Sequence, residues 1–139
     1  MDFRRLSEEL CQIHFDHARD WNRACESITT HGEDGLMIWL LLGGDGAYSM
    51  DIARHFDLTA GRVANILRGL ETKGYIARLQ DRRDLRRAQI VLTPQGRAFA
   101  RAKYEEMLSA HEKLLERMGE KDAETFVRLL NKVLAAATA

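Results

Sequence analysis

Arg62, Asn65 and Arg68 recur at every third position in the stretch that begins at Thr59, and five arginines (78, 82, 83, 86 and 87) crowd the ten residues from 78 to 87 against two aspartates, Asp81 and Asp84. These residue types are suited to one kind of chemistry. An arginine matches the paired acceptors of guanine, and an asparagine matches the acceptor and donor of adenine. A guanidinium is also the side chain favoured for phosphates and for narrow minor grooves. Arg62, Asn65 and Arg68 are therefore candidates for base contacts, Arg83 and Arg86 for a minor groove, and Thr59 and Arg78 for phosphates. Asp81 and Asp84 are too few to neutralise the run and suit the orienting of particular guanidiniums. A polar helix face is most often simply solvated; here Gly61 and Ala64 beside it cost helix propensity and leave room for close approach.

The elements that must present these groups are legible around them. Thr59 is a good N-cap, and Val63, Ile66, Leu67 and Leu70 form a single apolar stripe at i, i+3, i+4 and i+7. Gly74 suits a left-handed helix end. Tyr75–Leu79 and Ala88–Leu92 are the only strand-like runs, joined by Gln80–Arg87, so the arginines sit on a hairpin directly behind the helix. The pattern is a helix-turn-helix followed by a basic wing. Net charge is zero, yet its distribution is uneven: residues 1–36 carry −4, 37–58 carry −2, 59–87 carry +5 and 88–139 carry +1. The positive charge lies where the helix and hairpin are, which is the footprint of a nucleic-acid surface.

Asp81-Arg82-Arg83-Asp84-Leu85-Arg86, then Ile90-Val91-Leu92-Thr93 and Gly96, form a recognisable signature. With Ile52-Ala53, Leu70-Glu71, Lys73-Gly74-Tyr75-Ile76 and Arg78 upstream, it makes residues 36–97 resemble the MarR family of winged helix-turn-helix transcription regulators. Arg82 stands where that family often has proline, and Leu85 where it often has a polar or basic residue. The resemblance implies a mainly α fold with a small β-hairpin wing, and a homodimer on double-stranded operator DNA. It also implies a repressor released by a small aromatic or anionic effector.

The flanks fit that expectation. Leu6, Leu10, Ile13, His17, Trp21, Ala24 and Ile28 repeat every three or four residues, which predicts one helix from about Phe3 to Ile28. Thr93 caps and Pro94 opens a helix running to about Met118, where Gly119 breaks it. A last helix carries Phe126, Leu129, Leu130, Val133 and Leu134. These helices hold more apolar surface than a small winged helix buries, so residues of about 1–30 and 97–139 are expected to dimerise, with about 36–96 as the DNA-binding lobe of a single domain. Between them, Leu36–Leu42 reads as a buried helix, Gly43–Gly46 as a turn, and Ser49 as the cap of a short third helix. The longest apolar run has seven residues, far below the roughly 20 of a membrane helix. With no secretory h-region at the start, the expected location is cytoplasmic.

Other chemistry finds little support. There is no G-x-S-x-G, phosphate-binding glycine loop or H-E-x-x-H, so no enzyme and no cofactor is expected. Cys11, His14 and His17 fan out over about 120° of a helix and cannot close a tetrahedral metal site alone. Cys11 stands where the peroxide-sensing branch of the family keeps its thiol, but Glu8 and Glu9 oppose the lowering of its pKa. A thiol sensor using Cys11, a metal sensor, and a winged helix used only for protein contacts remain the alternatives. For an effector pocket, His14, His17, Trp21, Trp39 and His111 each put a polar tip on an apolar face.

Overall fold

A computed structural model of the chain describes residues 2–20, 23 and 32–139. Its centre is the apolar stripe of one helix, Ala60–Thr72, which buries Val63, Ile66, Leu67 and Leu70. The described elements in chain order are α1 (Phe3–Asp16), α2 (Gly32–Trp39), a wide turn (Leu40–Gly44), β1 (Ala47–Tyr48), α3 (Ser49–Phe56), α4 (Ala60–Thr72), β2 (Ile76–Gln80), β3 (Ala88–Leu92), α5 (Pro94–Met118) and α6 (Glu120–Ala137). The fold is mainly helical with a small three-stranded antiparallel sheet in the order β1-β3-β2. Register pairs Ile76 with Leu92 and Gln80 with Ala88, and β1 adds Ala47 opposite Ile90.

One core joins these elements. Leu36, Met37 and Leu40 come from α2 and its turn, Ile52 from α3, and Ile76, Ile90 and Leu92 from the sheet. Ala100 of α5 closes it. Every member lies between residues 36 and 100, so the core takes in the start of α5 and no residue of α1 or α6. On α1, by contrast, Phe3 is 73% exposed and Phe15 77%, and on α6 Val133 is 61% exposed. Nothing among the described residues covers those apolar faces. No described helix is long and apolar enough to cross a membrane.

Local chemistry explains the boundaries of α4 and α5. The Arg62 amide donates to Thr59 Oγ1 (3.1 Å) and the Gly96 amide to Thr93 Oγ1 (3.0 Å), so both expected caps form. Gly74 turns the chain at φ +77°, a conformation that L side chains avoid. Thr93 also donates its hydroxyl to the Gly74 carbonyl (2.6 Å) and its amide to the Tyr75 carbonyl (3.1 Å), tying the ends of α4 and β3 together. Gly96 packs directly on that junction: a Cβ there would stand 1.8 Å from Tyr75 O.

Several expected boundaries need correction. The first helix is interrupted at His17, which leaves helical geometry, and residues 18–20 and 23 are helical again, where periodicity predicted one unbroken helix to Ile28. Trp21, Ala24, Cys25, Ile28 and His31 lie outside the described residues. The helix expected over Leu36–Leu42 starts earlier, at Gly32, and changes from α-helical to π-helical geometry after Trp39 until Gly43, at φ +136°, leaves it. Tyr48, not Ser49, is the N-cap of α3; its amide donates to Asp51 Oδ2 (2.9 Å). The first wing strand starts at Ile76 rather than Tyr75. The third strand, β1, was not foreseen, since two residues carry no alternation to read.

Gly96→Ala should lower stability to chemical denaturation by about 1–3 kcal/mol, since the neighbour it meets is backbone and cannot give way. Gly61→Ala is the contrast: its Cβ would meet nothing within 4 Å, so it should gain up to about 1 kcal/mol from helix propensity. Equal effects at the two positions would overturn this account of the junction.

Candidate nucleic-acid interface

Because α4 turns its stripe inward, Thr59, Arg62, Asn65 and Arg68 are all exposed on its outer side. Arg68 Nη1 donates to Asn65 Oδ1 (3.1 Å), so two of the three expected base-reading residues meet one turn apart. Arg62 has no acceptor among the described residues. Gly61 is exposed with open space around it. Behind this helix, a cleft of about 240 Å³ lies between α2, α3 and α4, walled by Leu36, Ile52, Phe56 and Leu58, with Arg62 as its charged lining residue. No sequence pattern announced this cleft.

The wing is held against the helix and then turned outward. Arg78 Nε donates to Glu71 Oε2 at 2.9 Å, so the residue expected on a phosphate is an intramolecular tie from β2 to α4. Both groups of that pair are well exposed, and its contribution to stability is therefore small. The Lys73 ammonium donates to the Glu33 carboxylate, which joins the end of α4 to the start of α2 and raises the Lys73 pKa.

At the tip, the aspartates do something other than expected. Asp81 Oδ1 accepts from the Arg83 amide (2.9 Å) and Asp84 Oδ1 from the Arg86 amide (3.0 Å). Each carboxylate therefore closes a turn of the loop backbone two residues on and is not bonded to a guanidinium. The physical reason is reach: the amide two residues ahead is local, while a guanidinium prefers the solvent available at an exposed tip. Arg82, Arg83 and Arg86 consequently have no acceptor among the described residues. Arg87 is the exception, its guanidinium carbon lying 3.8 Å from the centre of the Tyr48 ring.

Tyr48 and Arg82 belong to this surface and were missed. Tyr48 sits 33 residues before its partner, donating its hydroxyl to Asp81 Oδ2 (2.8 Å). Nothing in the local sequence signals that contact. Arg82 belongs to the charge run, and nothing in its sequence position separates it from the neighbouring arginines.

Among the described residues, the expected effector residues His14, His17, Trp39 and His111 line no common cavity. His14 shares a shallow apolar concavity on α1 with Leu10, Cys11, Ile13 and Phe15, which includes neither Trp39 nor His111. His17 lies 3.8 Å from Asp20. Trp39 stacks on His55 with ring centres 4.8 Å apart and meets Phe56 edge-on, a packing role between α2 and α3. His111 is half-buried on α5, and Trp21 is outside the described residues. Cys11 is exposed on α1. Among the described residues, no group of three or more His, Cys, Asp or Glu is placed to hold a metal ion.

A buried three-helix core, a three-stranded wing and an exposed helix bearing Arg62, Asn65 and Arg68 together define a winged helix-turn-helix protein. The profile of the MarR family matches residues 40–88, which run from the wide turn through α4 to the start of β3. The HTH-type transcriptional regulator TtmR of Methylorubrum extorquens (strain PA1) is 30% identical over 102 residues, covering 70% of this chain. The match spans about half of that relative's length, 52%. Among solved structures, the Staphylococcus aureus MepR–DNA complex superposes with a TM-score of 0.66 at 28% identity, covering 97% of this chain and 94% of MepR. The Mycobacterium tuberculosis MarR family protein Rv2887, in complex with salicylic acid, gives a TM-score of 0.58 at 29% identity over 73% of this chain and 74% of its own. The chain belongs to the MarR family of winged helix-turn-helix transcription regulators.

Asp81 should show its role in a pH titration. The Arg83 amide, and then the Tyr48 hydroxyl, hold its carboxyl below the ordinary value of 3.8. The bond to Asp81 raises the Tyr48 phenol above 10.0. A depressed acid contributes stability above its unfolded value and loses it as pH falls through the folded one. A raised phenol contributes below its unfolded value and loses it as pH rises through the folded one. Tip order should thus be complete from about pH 4 to 10. Following the Asp81 carboxyl by ¹³C NMR should give a midpoint below 3.8; a midpoint at or above that value would contradict the bonding described.

Proposed function

We propose that the protein is a homodimeric, sequence-specific DNA-binding regulator, acting as a repressor on a pseudo-palindromic operator. The observation that carries this reading is the juxtaposition at the wing: three guanidiniums without acceptors among the described residues, Arg82, Arg83 and Arg86, on a hairpin tied by Arg78–Glu71 to the helix that exposes Arg62, Asn65 and Arg68. Arg62, Asn65 and Arg68 read base edges in the major groove, and Arg83 and Arg86 enter the neighbouring minor groove. Thr59 meets phosphate, and Asp81 and Asp84 hold the tip in shape for it. Arg78 serves chiefly as a tie to α4. The DNA complex of MepR, a relative similar over nearly the whole chain, supports this use of the surface.

The dimer rests on the apolar faces of α1 and α6, which nothing among the described residues covers and which are larger than scattered surface residues. Two copies related by a twofold axis would cover them and set the reading helices roughly 34–36 Å apart, one turn of duplex. A small aromatic or anionic ligand that favours another spacing of those helices would release the operator by linkage. The salicylic acid complex of Rv2887 supports that ligand class.

Arg86→Ala should abolish preference for the operator while sedimentation still shows a dimer; undiminished affinity would remove the wing from the reading. Arg68→Ala should cost roughly 1–3 kcal/mol of discrimination at one base per half-site. The check is selection from random duplexes, and recovery of the wild-type motif by that variant would show that Arg68 reads no base. A monomer in sedimentation, or equal affinity for all duplexes at moderate salt, would overturn the proposal as a whole.

A further inference from the structure

Tyr48 touches both roots of the wing tip with one side chain. Its hydroxyl donates to Asp81 Oδ2 at 2.8 Å, and the Arg87 guanidinium carbon lies 3.8 Å from its ring centre. Asp81 and Arg87 themselves close the loop, the Asp81 amide donating to the Arg87 carbonyl (2.9 Å). Between them stand Arg82, Arg83 and Arg86. The backbone of Tyr48 lies where the sheet meets the helix-turn-helix: it pairs with Gln89 of β3, and its amide donates to Asp51 at the start of α3. One residue therefore spans the helix-turn-helix and the hairpin.

The chemistry of the side chain suits this place. A phenol donates to the carboxylate without adding or removing charge, and its ring face accepts a guanidinium. Asp81 has two oxygens in use: Oδ1 holds the Arg83 amide and Oδ2 holds Tyr48. Without the phenol, Oδ2 would be free beside four arginines and could draw one of them away from a phosphate.

We propose that Tyr48 is a positioning residue for operator binding, fixing the wing tip against the helix-turn-helix so that Arg83 and Arg86 are presented in one arrangement. This rests on the DNA-binding reading above. The residue is not one to which the family signature pointed, and it acts through Asp81 without touching DNA.

The test is Tyr48→Phe, which removes the hydroxyl and keeps the ring under Arg87. A duplex selected by the wild-type protein from a random pool serves as the probe. Affinity should fall roughly three- to tenfold, in the range of one lost hydrogen bond, while circular dichroism shows the helical content unchanged. In an Asp81→Ala background, Tyr48→Phe should have no further effect, because coupled residues do not add. Wild-type affinity for Tyr48→Phe, or an equal loss in the Asp81→Ala background, would overturn the proposal. Should the wild type select no duplex, the DNA-binding reading fails instead. Hydrogen exchange at the Arg83 amide then decides whether Tyr48 orders the tip: faster in Tyr48→Phe if it does, unchanged if it does not.

Discussion

Four guanidiniums within six residues, at positions 82, 83, 86 and 87, repel one another, and a hairpin tip has no core of its own to resist that. The structure answers with backbone bonds that do not consume the charges. Asp81 and Asp84 spend their carboxylate oxygens on amides, and Tyr48 supplies the remaining donor to Asp81. Arg87 is taken up by a ring face rather than by a carboxylate. The outcome is a loop that is ordered yet still positive, because neutral donors hold it. A tip held by guanidinium–carboxylate pairs would be equally ordered but would offer an anion far less.

The same economy governs the attachment of the wing to its lobe. Glu71–Arg78 ties β2 to α4, while Thr93 and Gly96 press the start of α5 onto the carbonyls of Gly74 and Tyr75. Asp45 completes the frame, accepting from the Leu92 amide (2.9 Å) and from Arg97 Nη2 (3.0 Å). These contacts make α4, the sheet and the first turn of α5 one body. A displacement of α5 would therefore carry α4 and the wing together.

What lies outside this body has a different physical character. The core between residues 36 and 100 is closed, whereas α1 and α6 leave large apolar side chains such as Phe3, Phe15 and Val133 open to water. Such faces are stable in water when they meet another apolar surface. The candidate effector residues are scattered for a related reason. His14 and His17 lie on α1, His111 on α5 and Trp39 in the lobe core, so one chain does not bring them to a common cavity.

Sequence by itself determined the parts governed by local or periodic physics. The stripe Val63–Leu70, the caps Thr59 and Thr93, the left-handed Gly74 and the breaker Gly119 act over a few residues and are visible in order along the chain. The accumulation of arginine on the hairpin was visible for the same reason, and it carried the family resemblance. Tertiary structure decided what depends on distance in space. Tyr48 finds Asp81 across 33 residues, Arg78 pairs with Glu71, and β1 exists because β3 is there to pair with it. A two-residue strand has no period, and a side chain's partner is chosen by reach and competing solvent. Neither is written in the order of residues.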